Sequence, residues 1–213
     1  MNLKDTLVLI ERLNLSGKPL VLPGFERDAL PQLFIDLDFK FGAEIGVRKG
    51  QFTEYFCKAG LKMYAIDPWL AYEDYDFPDR NFQKFQDLQF GLTQALLAPY
   101  DVTFIRKKSM DALVDVPDDS LDFVYIDGHH GLKYVVEDLW EWTKKVKRGG
   151  IISGHDYGSI ITPASDPYCI HVEYAVRAFT EALNINKWFV LGQHQKGGQR
   201  QRIRSWLWFN ERN

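Results

Sequence analysis

The chain has 213 residues, 46% of them hydrophobic and 15% aromatic, enough for one large domain with a substantial core. Its 26% charged residues and formal net charge of −3 exclude a disordered or fibrous class, and give no general electrostatic reason to bind nucleic acid or an anionic membrane surface. No stretch approaches the roughly 18 apolar residues of a membrane span, and Cys57 and Cys169 lack the spacing of a disulfide framework or metal knuckle, so a reducing, cytoplasmic setting is expected.

In chain order, "MNLKDTLVLIERLNL" carries charges within its apolar pattern and reads as an amphipathic helix, not a signal peptide. Residues 1–40 read as a helical extension, with "SGKPLVLPG" as the break between helices. From residue 41 onward the pattern alternates. "FGAEIGV" is a short apolar strand, and "GQFTEYFCKAG" is a helix ended by Gly60. "KMYAIDPW" is a strand ending in an acid, residues 81–98 are helical, and "YDVTFIRKKS" and "LDFVYIDG" are the next strands. In "LKYVVEDLWEWTKKVKRGG", Val135, Leu139, Trp142 and Val146 fall at helical spacing, and Gly149–Gly150 is the expected stop after a basic last turn. "GIISGHDY" is a further strand, 172–184 a helix, and "KWFVLGQ" with "SWLWFNE" a closing hairpin. Alternating strands and helices predict a doubly wound α/β domain over 41–213. Its sheet is mostly parallel and seven-stranded, with a C-terminal antiparallel hairpin.

In such sheets the ligand sits beyond the carboxyl ends of the strands. Those ends carry Gly46 to Gly50, Asp67, Ser109, Asp127 with His129 and His130, and His155 with Asp156. One such residue is easily a turn residue; a polar group at every strand end points to a site. "AEIGVRKGQF" places Glu44, Gly46 and Gly50 between a strand and a helix, where glycine permits a tight turn and close packing of helix on strand. The loop is neither G-x-G-x-x-G nor a Walker loop. Asp67 follows about 20 residues later, at the interval where a carboxylate accepts hydrogen bonds from ribose hydroxyls.

With "EIGVRKG", "YAIDPW", "RKKSMDAL" and "DFVYIDGHHGLKYVVEDLWEWTKKVKRGGIISGHDY", the sequence resembles the class I S-adenosylmethionine-dependent methyltransferases over about residues 40–210. Within them it is similar to the methyltransferase domain family 24 group, which carries I-D-G-x-H and G-H-D-Y signatures and is associated with O-methylation of small molecules and sugars. The resemblance implies S-adenosylmethionine as cofactor, with Glu44, Gly46 and Gly50 at its methionine end, Asp67 at the ribose, and Trp69 and Ser109 near the adenine. Leu132 replaces the motif's aromatic residue and Gly131 a common serine.

Methyl transfer from a sulfonium to a hydroxyl needs an aligned nucleophile and a route for its proton. Histidine suits that role near neutrality. Asp127, His130, His155 and Asp156 are the expected catalytic group, with His130 taking the proton and His129 unassigned. Some relatives hold a divalent ion between the acid of the fourth strand and an acidic pair after the fifth. Here that set is Asp127, His155 and Asp156, and the histidine disfavours Mg²⁺, so a metal is possible but not favoured. Residues 157–171 form a loop of lid length, with Tyr157, Tyr168 and His171 as possible substrate contacts and a surface crossover as the alternative. Trp140, Trp142, Trp188, Trp206 and Trp208 read as packing. The basic clusters at 106–108 and 196–204 read as solvated loops.

The expected function is methylation of a small hydroxylated acceptor, sugar or natural product in type. No nucleic-acid or membrane partner is expected, and an oligomer is possible. The alternatives are a nicotinamide-dependent oxidoreductase, which the glycine turn disfavours, and a non-catalytic scaffold, which the intact acid–imidazole cluster disfavours.

Overall fold

The computed structural model describes residues 1–71, 82–158, 170–192 and 204–211. Among them, eight strands form one sheet: β1 (Gly17–Leu22), β2 (Phe41–Ile45), β3 (Lys62–Ile66), β4 (Val102–Ile105), β5 (Leu121–Ile126), β6 (Val146–Tyr157), β7 (Lys187–Leu191) and β8 (Arg204–Phe209). Their order is β1-β7-β8-β6-β5-β2-β3-β4. Neighbours pair in parallel except β8, which runs antiparallel to both β6 and β7.

Helices cover both faces, which is why the central strand "LDFVYI" is apolar almost throughout. Successive side chains of β5 enter opposite cores, as the pleat requires. Phe123 and Tyr125 meet α1 (Leu3–Arg12), α2 (Leu30–Asp36) and α3 (Gln51–Lys58) through Leu7, Phe34 and Phe56. The Phe34 and Phe123 rings stack with centroids 4.2 Å apart. Val124 and Ile126 meet α6 (Leu132–Lys145) and α7 (Val172–Ala182) through Leu139, Trp142 and Val176. The remaining helices are α4 (Gln83–Leu97) and the single turn α5 (Ser109–Ala112). No described helix is long and apolar enough to cross a membrane.

The structure departs from the sequence expectations in four places. The "SGKPLVLPG" break contains β1, an edge strand paired with β7, which makes the sheet eight-stranded and not seven. Pro19 is tolerated there because an edge strand can spare a donor on its open side. Residues 1–40 therefore supply a strand as well as helices, and Leu3, Leu7, Ile10, Leu30, Leu33 and Phe34 join a core of the sheet. Gly149–Gly150 does not end α6. That helix stops at Lys145, with Lys144 and Lys145 in its last turn, and β6 begins at Val146. Both glycines lie in β6, where Gly149 has φ +81° and a Cβ on Gly150 would strike the Asp122 carbonyl. Trp140 also differs from the expected packing role: it stays 53% exposed while the other four predicted packing tryptophans are buried.

Candidate active site

Beyond β2 the chain turns to β3 and β4 on one side of the sheet, and it later adds β5 and β6 on the other. The carboxyl ends of β2 and β5 thus flank the switch point at which open parallel sheets bind ligands. A cleft of about 640 Å³ opens there, lined by Glu44, Gly46, Asp67, Trp69, Ser109, Asp127, His130, His155 and Asp156. Every predicted site residue except Gly50 lies on its wall.

Gly46 has φ +88°, and a Cβ on it would fall 2.6 Å from the Gly128 Cα and closer still to the Asp127 carbonyl. It lets the turn after β2 pass directly against the turn after β5. Gly50, at φ +71°, caps α3, and its bare Cα faces Thr93 and Leu97 of α4. It therefore brings two helices together, where packing of helix on strand was expected.

Glu44 is buried at the floor and accepts a hydrogen bond from the Thr53 hydroxyl. Burial pushes its carboxyl up to about 8 against the lowering effect of Thr53, with the Asp127 charge adding to the rise. Burial thus favours its protonated form, and a cationic ligand group placed beside it would favour its ionisation. Asp67 accepts the backbone N–H of Arg48 at 2.9 Å on one oxygen and that of Trp69 at 2.8 Å on the other. Burial raises its pKa despite these bonds. Trp69, at φ +39° and 1% exposed, donates its indole N–H to the Arg48 carbonyl at 2.8 Å and packs on Phe90. It ties the turn after β3 to the turn after β2. Ser109 opens α5; its hydroxyl donates to Asp138 and accepts the Trp142 indole N–H at 2.6 Å.

The strand ends β5 and β6 bring the four predicted catalytic residues together. His130 Nε2 lies 2.5 Å from Asp156 Oδ2 and 4.0 Å from Asp127 Oδ1. His155 Nδ1 is 3.6 Å from both Asp127 Oδ1 and Asp156 Oδ1. Burial works against a charged His155, but Asp127 and Asp156 outweigh it and push its pKa up to about 9. For Asp156, burial is likewise outweighed, by His130 and His155, and its carboxyl is held far below the usual range. Asp156 itself sits at φ +52°. The atoms able to meet at one cation are those of Asp127, His130 and Asp156, all within 4.8 Å of one another. His155, included in the expected metal set, is not among them. Its raised pKa favours an imidazolium there, a charge that competes with a cation for the same carboxylates.

His129 lines the same cleft but is engaged elsewhere. Its ring lies 4.1 Å from that of Tyr134, and its Nδ1 accepts the Gly131 N–H at 3.0 Å. Of the proposed lid contacts, Tyr157 is buried against Trp188 and His171 Nδ1 accepts the Leu132 N–H at 3.2 Å. Tyr168 and residues 159–169 lie outside the described residues, as do Cys169 and 196–203 of the second basic cluster.

Among the charged residues of the cleft wall that sequence reasoning left unassigned, Arg27 and Asp138 stand out. Arg27, in the turn leading into α2, stands over the Phe52 ring at 4.8 Å and reaches Asp127 at 3.9 Å. Nothing local marked it out. Asp138 is 4% exposed, and burial pushes its carboxyl up to about 7. It was detectable, as an acid three residues after Val135 and four before Trp142 on the helix face expected to be apolar.

Comparison with known proteins adds an independent line. Residues 43–157, more than half of the chain, match the model of a protein family described as a methyltransferase domain. No curated protein sequence matches the chain. Among solved structures, an O-methyltransferase from Bacillus cereus in complex with SAH is similar, at 14% identity and TM-score 0.56 over 96% of this chain and 88% of that one. The O-methyltransferase TomG of Streptomyces achromogenes, involved in tomaymycin synthesis and solved with SAM, has 13% identity and TM-score 0.56, covering 85% of this chain and 78% of its own. An rRNA methylase from Streptococcus thermophilus has 12% identity and TM-score 0.57, covering 84% and 92%. At these identities the likeness establishes the fold.

Proposed function

The chain belongs to the methyltransferase-domain family, and on that premise we propose that it is a class I enzyme that uses S-adenosylmethionine to methylate the oxygen of a small hydroxylated acceptor. The observation that carries this reading is the convergence of Asp127, His130, His155 and Asp156 on one wall of the same cleft as Glu44 and Asp67. An acid–imidazole group has little to do in binding a sulfonium cofactor, whereas deprotonating a hydroxyl calls for a positioned base, which an imidazole supplies.

The cleft fits the cofactor group by group. The cofactor's ammonium would lie beside Glu44 and ionise it, and the ribose hydroxyls would use the remaining lone pairs of Asp67. When bound, the cofactor supplies an electrophilic methyl on a sulfonium. The acceptor oxygen would enter on the side of Asp127, the most exposed of the four catalytic residues. His130 takes its proton. Nε2 is turned to Asp156, so the ring must swing from that pair toward the cleft to do so. His155 keeps a positive charge beside the developing imidazolium and the two carboxylates, which holds Asp156 ionised. Asp127, His130 and Asp156 would also hold a divalent cation, which when bound favours the ionised form of a ligated hydroxyl. The protonated His155 beside those carboxylates disfavours that arrangement.

Ligand-induced stabilisation tests the cofactor side of the proposal. S-adenosylhomocysteine at 100 times its Kd should stabilise the fold by about 2.7 kcal/mol and raise the melting temperature, while NADH should not. Stabilisation by NADH alone would overturn the reading.

A further inference from the structure

Arg27 stands on the cleft wall beside the acid–imidazole group, and proton transfer gives it no task. It opens the short turn Arg27–Ala29, which is anchored on both sides. Phe25 and Ala29 pack against the core, and Leu30 is fully buried in it. The Arg27 side chain leaves this fixed turn and stays 43% exposed at the cleft. Its guanidinium lies over the Phe52 ring, 4.8 Å from the centroid. That ring is a firm platform, buried and packed against Phe56 and Tyr125 with centroids 4.8 and 4.6 Å away.

A ring contact engages a guanidinium without using its N–H donors, which remain available in its plane. The Asp127 carboxylate does not take them up either. Its Oδ2 is 3.9 Å from Arg27 Nη1, close enough for attraction and too far for a hydrogen bond. Among the described residues the guanidinium makes no hydrogen bond at all. The other oxygen of the same carboxylate, Oδ1, is 4.0 Å from His130 Nε2. One carboxylate therefore spans the space between the proposed base and the guanidinium. A single small molecule can reach both.

We propose that the acceptor is a hydroxy acid, its carboxylate held by Arg27 on the Phe52 platform while its hydroxyl faces His130. This rests on reading the cleft as a site of methyl transfer to oxygen. A carboxylate fits the guanidinium fork with two parallel hydrogen bonds, which fixes direction as well as distance. The acid group is thus a handle that sets where the hydroxyl stands relative to the base, and the hydroxyl remains the group that is methylated. An uncharged acceptor of the same shape leaves the guanidinium with nothing nearer than Asp127, and is selected against for that reason.

The test compares hydroxy acids with their own primary amides, which match them in shape and lack the charge. Hydroxybenzoates and hexuronates serve as the acids, within a wider library of hydroxylated molecules, and methyl transfer from S-adenosylmethionine is measured on the full chain. The wild-type protein should give a kcat/KM at least about tenfold higher for an acid than for its amide, the scale of one hydrogen bond to a charged group. Arg27→Met keeps an aliphatic stem over Phe52 and removes the fork. Its acid-to-amide ratio should fall near one, through a higher KM for the acid, while S-adenosylhomocysteine affinity by calorimetry stays within twofold. Arg27→Lys, charged but without paired donors, should fall between the two and serves if the methionine variant does not fold. A wild-type ratio near one would overturn the proposal, as would reaction confined to acceptors without a carboxylate. Equal losses for acid and amide would also overturn it, and make Arg27 a positioning residue for Asp127. So would weakened S-adenosylhomocysteine binding with the ratio kept, which would assign the guanidinium to the cofactor's own carboxylate. Methyl transfer to no member of the library would instead overturn the reading on which the proposal rests.

Discussion

Gly46 and Gly60 offer a controlled test of what the turn after β2 does. Both have positive φ, +88° and +95°, so alanine at either position meets the same backbone penalty of about 1–2 kcal/mol. Their surroundings differ. A Cβ on Gly60 meets nothing within 4 Å, whereas one on Gly46 lands on the main chain of Asp127 and Gly128. Main chain at a strand end cannot rotate aside, so Gly46→Ala carries an additional overpacking cost of about 1–3 kcal/mol. The expected losses are roughly 1–2 kcal/mol for Gly60→Ala and 2–5 kcal/mol for Gly46→Ala. At about 2–4 °C per kcal/mol for a chain of this size, Gly46→Ala should melt some 4–20 °C below wild type. Urea denaturation read by tryptophan fluorescence measures both, and a shared m-value licenses the comparison. The relief of the clash must also push Asp127 and His130 away from the β2 turn, so Gly46→Ala should bind S-adenosylhomocysteine weakly even where it is folded. If Gly46→Ala were no less stable than Gly60→Ala and bound the ligand normally, the close passage of the two turns would not be what organises the cleft.

Three further outcomes are expected. Asp67→Ala should reduce S-adenosylhomocysteine affinity at least about tenfold and lower stability, because two backbone N–H groups lose their acceptor; unchanged affinity by calorimetry would remove Asp67 from the ribose site. His155 titrates at about 9 in the fold and near 6.5 unfolded, so its contribution is fully present below pH 6.5 and lost as pH rises toward 9. The loss is roughly 3 kcal/mol, and Glu44, raised to about 8, adds a loss of the same sign. The melting temperature should therefore fall between pH 6.5 and 9.5, and fall less in His155→Gln; a flat wild-type profile would contradict the charged His155. His130→Ala should lower turnover about 10²–10⁴-fold while S-adenosylhomocysteine affinity stays within twofold, and equal losses in both would make His130 a structural residue.

Much of the architecture was legible because local and global preferences agree. "FGAEI", "KMYAI" and "LDFVYI" are apolar runs that a sheet covered on both faces demands, and each becomes a strand. β1 was hidden for a physical reason: Gly17 and Pro19 argue against a strand interior, and only the edge position beside β7, far off in sequence, makes the segment tolerable. Gly149 and Gly150 misled because a glycine pair after a basic helical turn resembles a C-terminal cap. In the fold Gly150 is required where β6 crosses the Asp122 carbonyl.

The residues of the cleft wall were readable from their place at strand ends, but their partnerships were not. That His130 pairs with Asp156, and that Asp127 and Asp156 raise the pKa of His155, depends on side-chain directions that the spacing of "IDGHH" and "GHDY" leaves open. Asp138 was passed over because acids on helices ordinarily face solvent.

The central claim is transfer of a methyl group to oxygen on a small molecule. The direct measurement is incubation with S-adenosylmethionine carrying a ¹³C-labelled methyl group, together with a library of hydroxylated small molecules, and NMR of the products. The account predicts the label as a methoxy carbon on a small acceptor, lost in His130→Ala. Label on nitrogen, or recovered only on added ribosomal RNA, would contradict it.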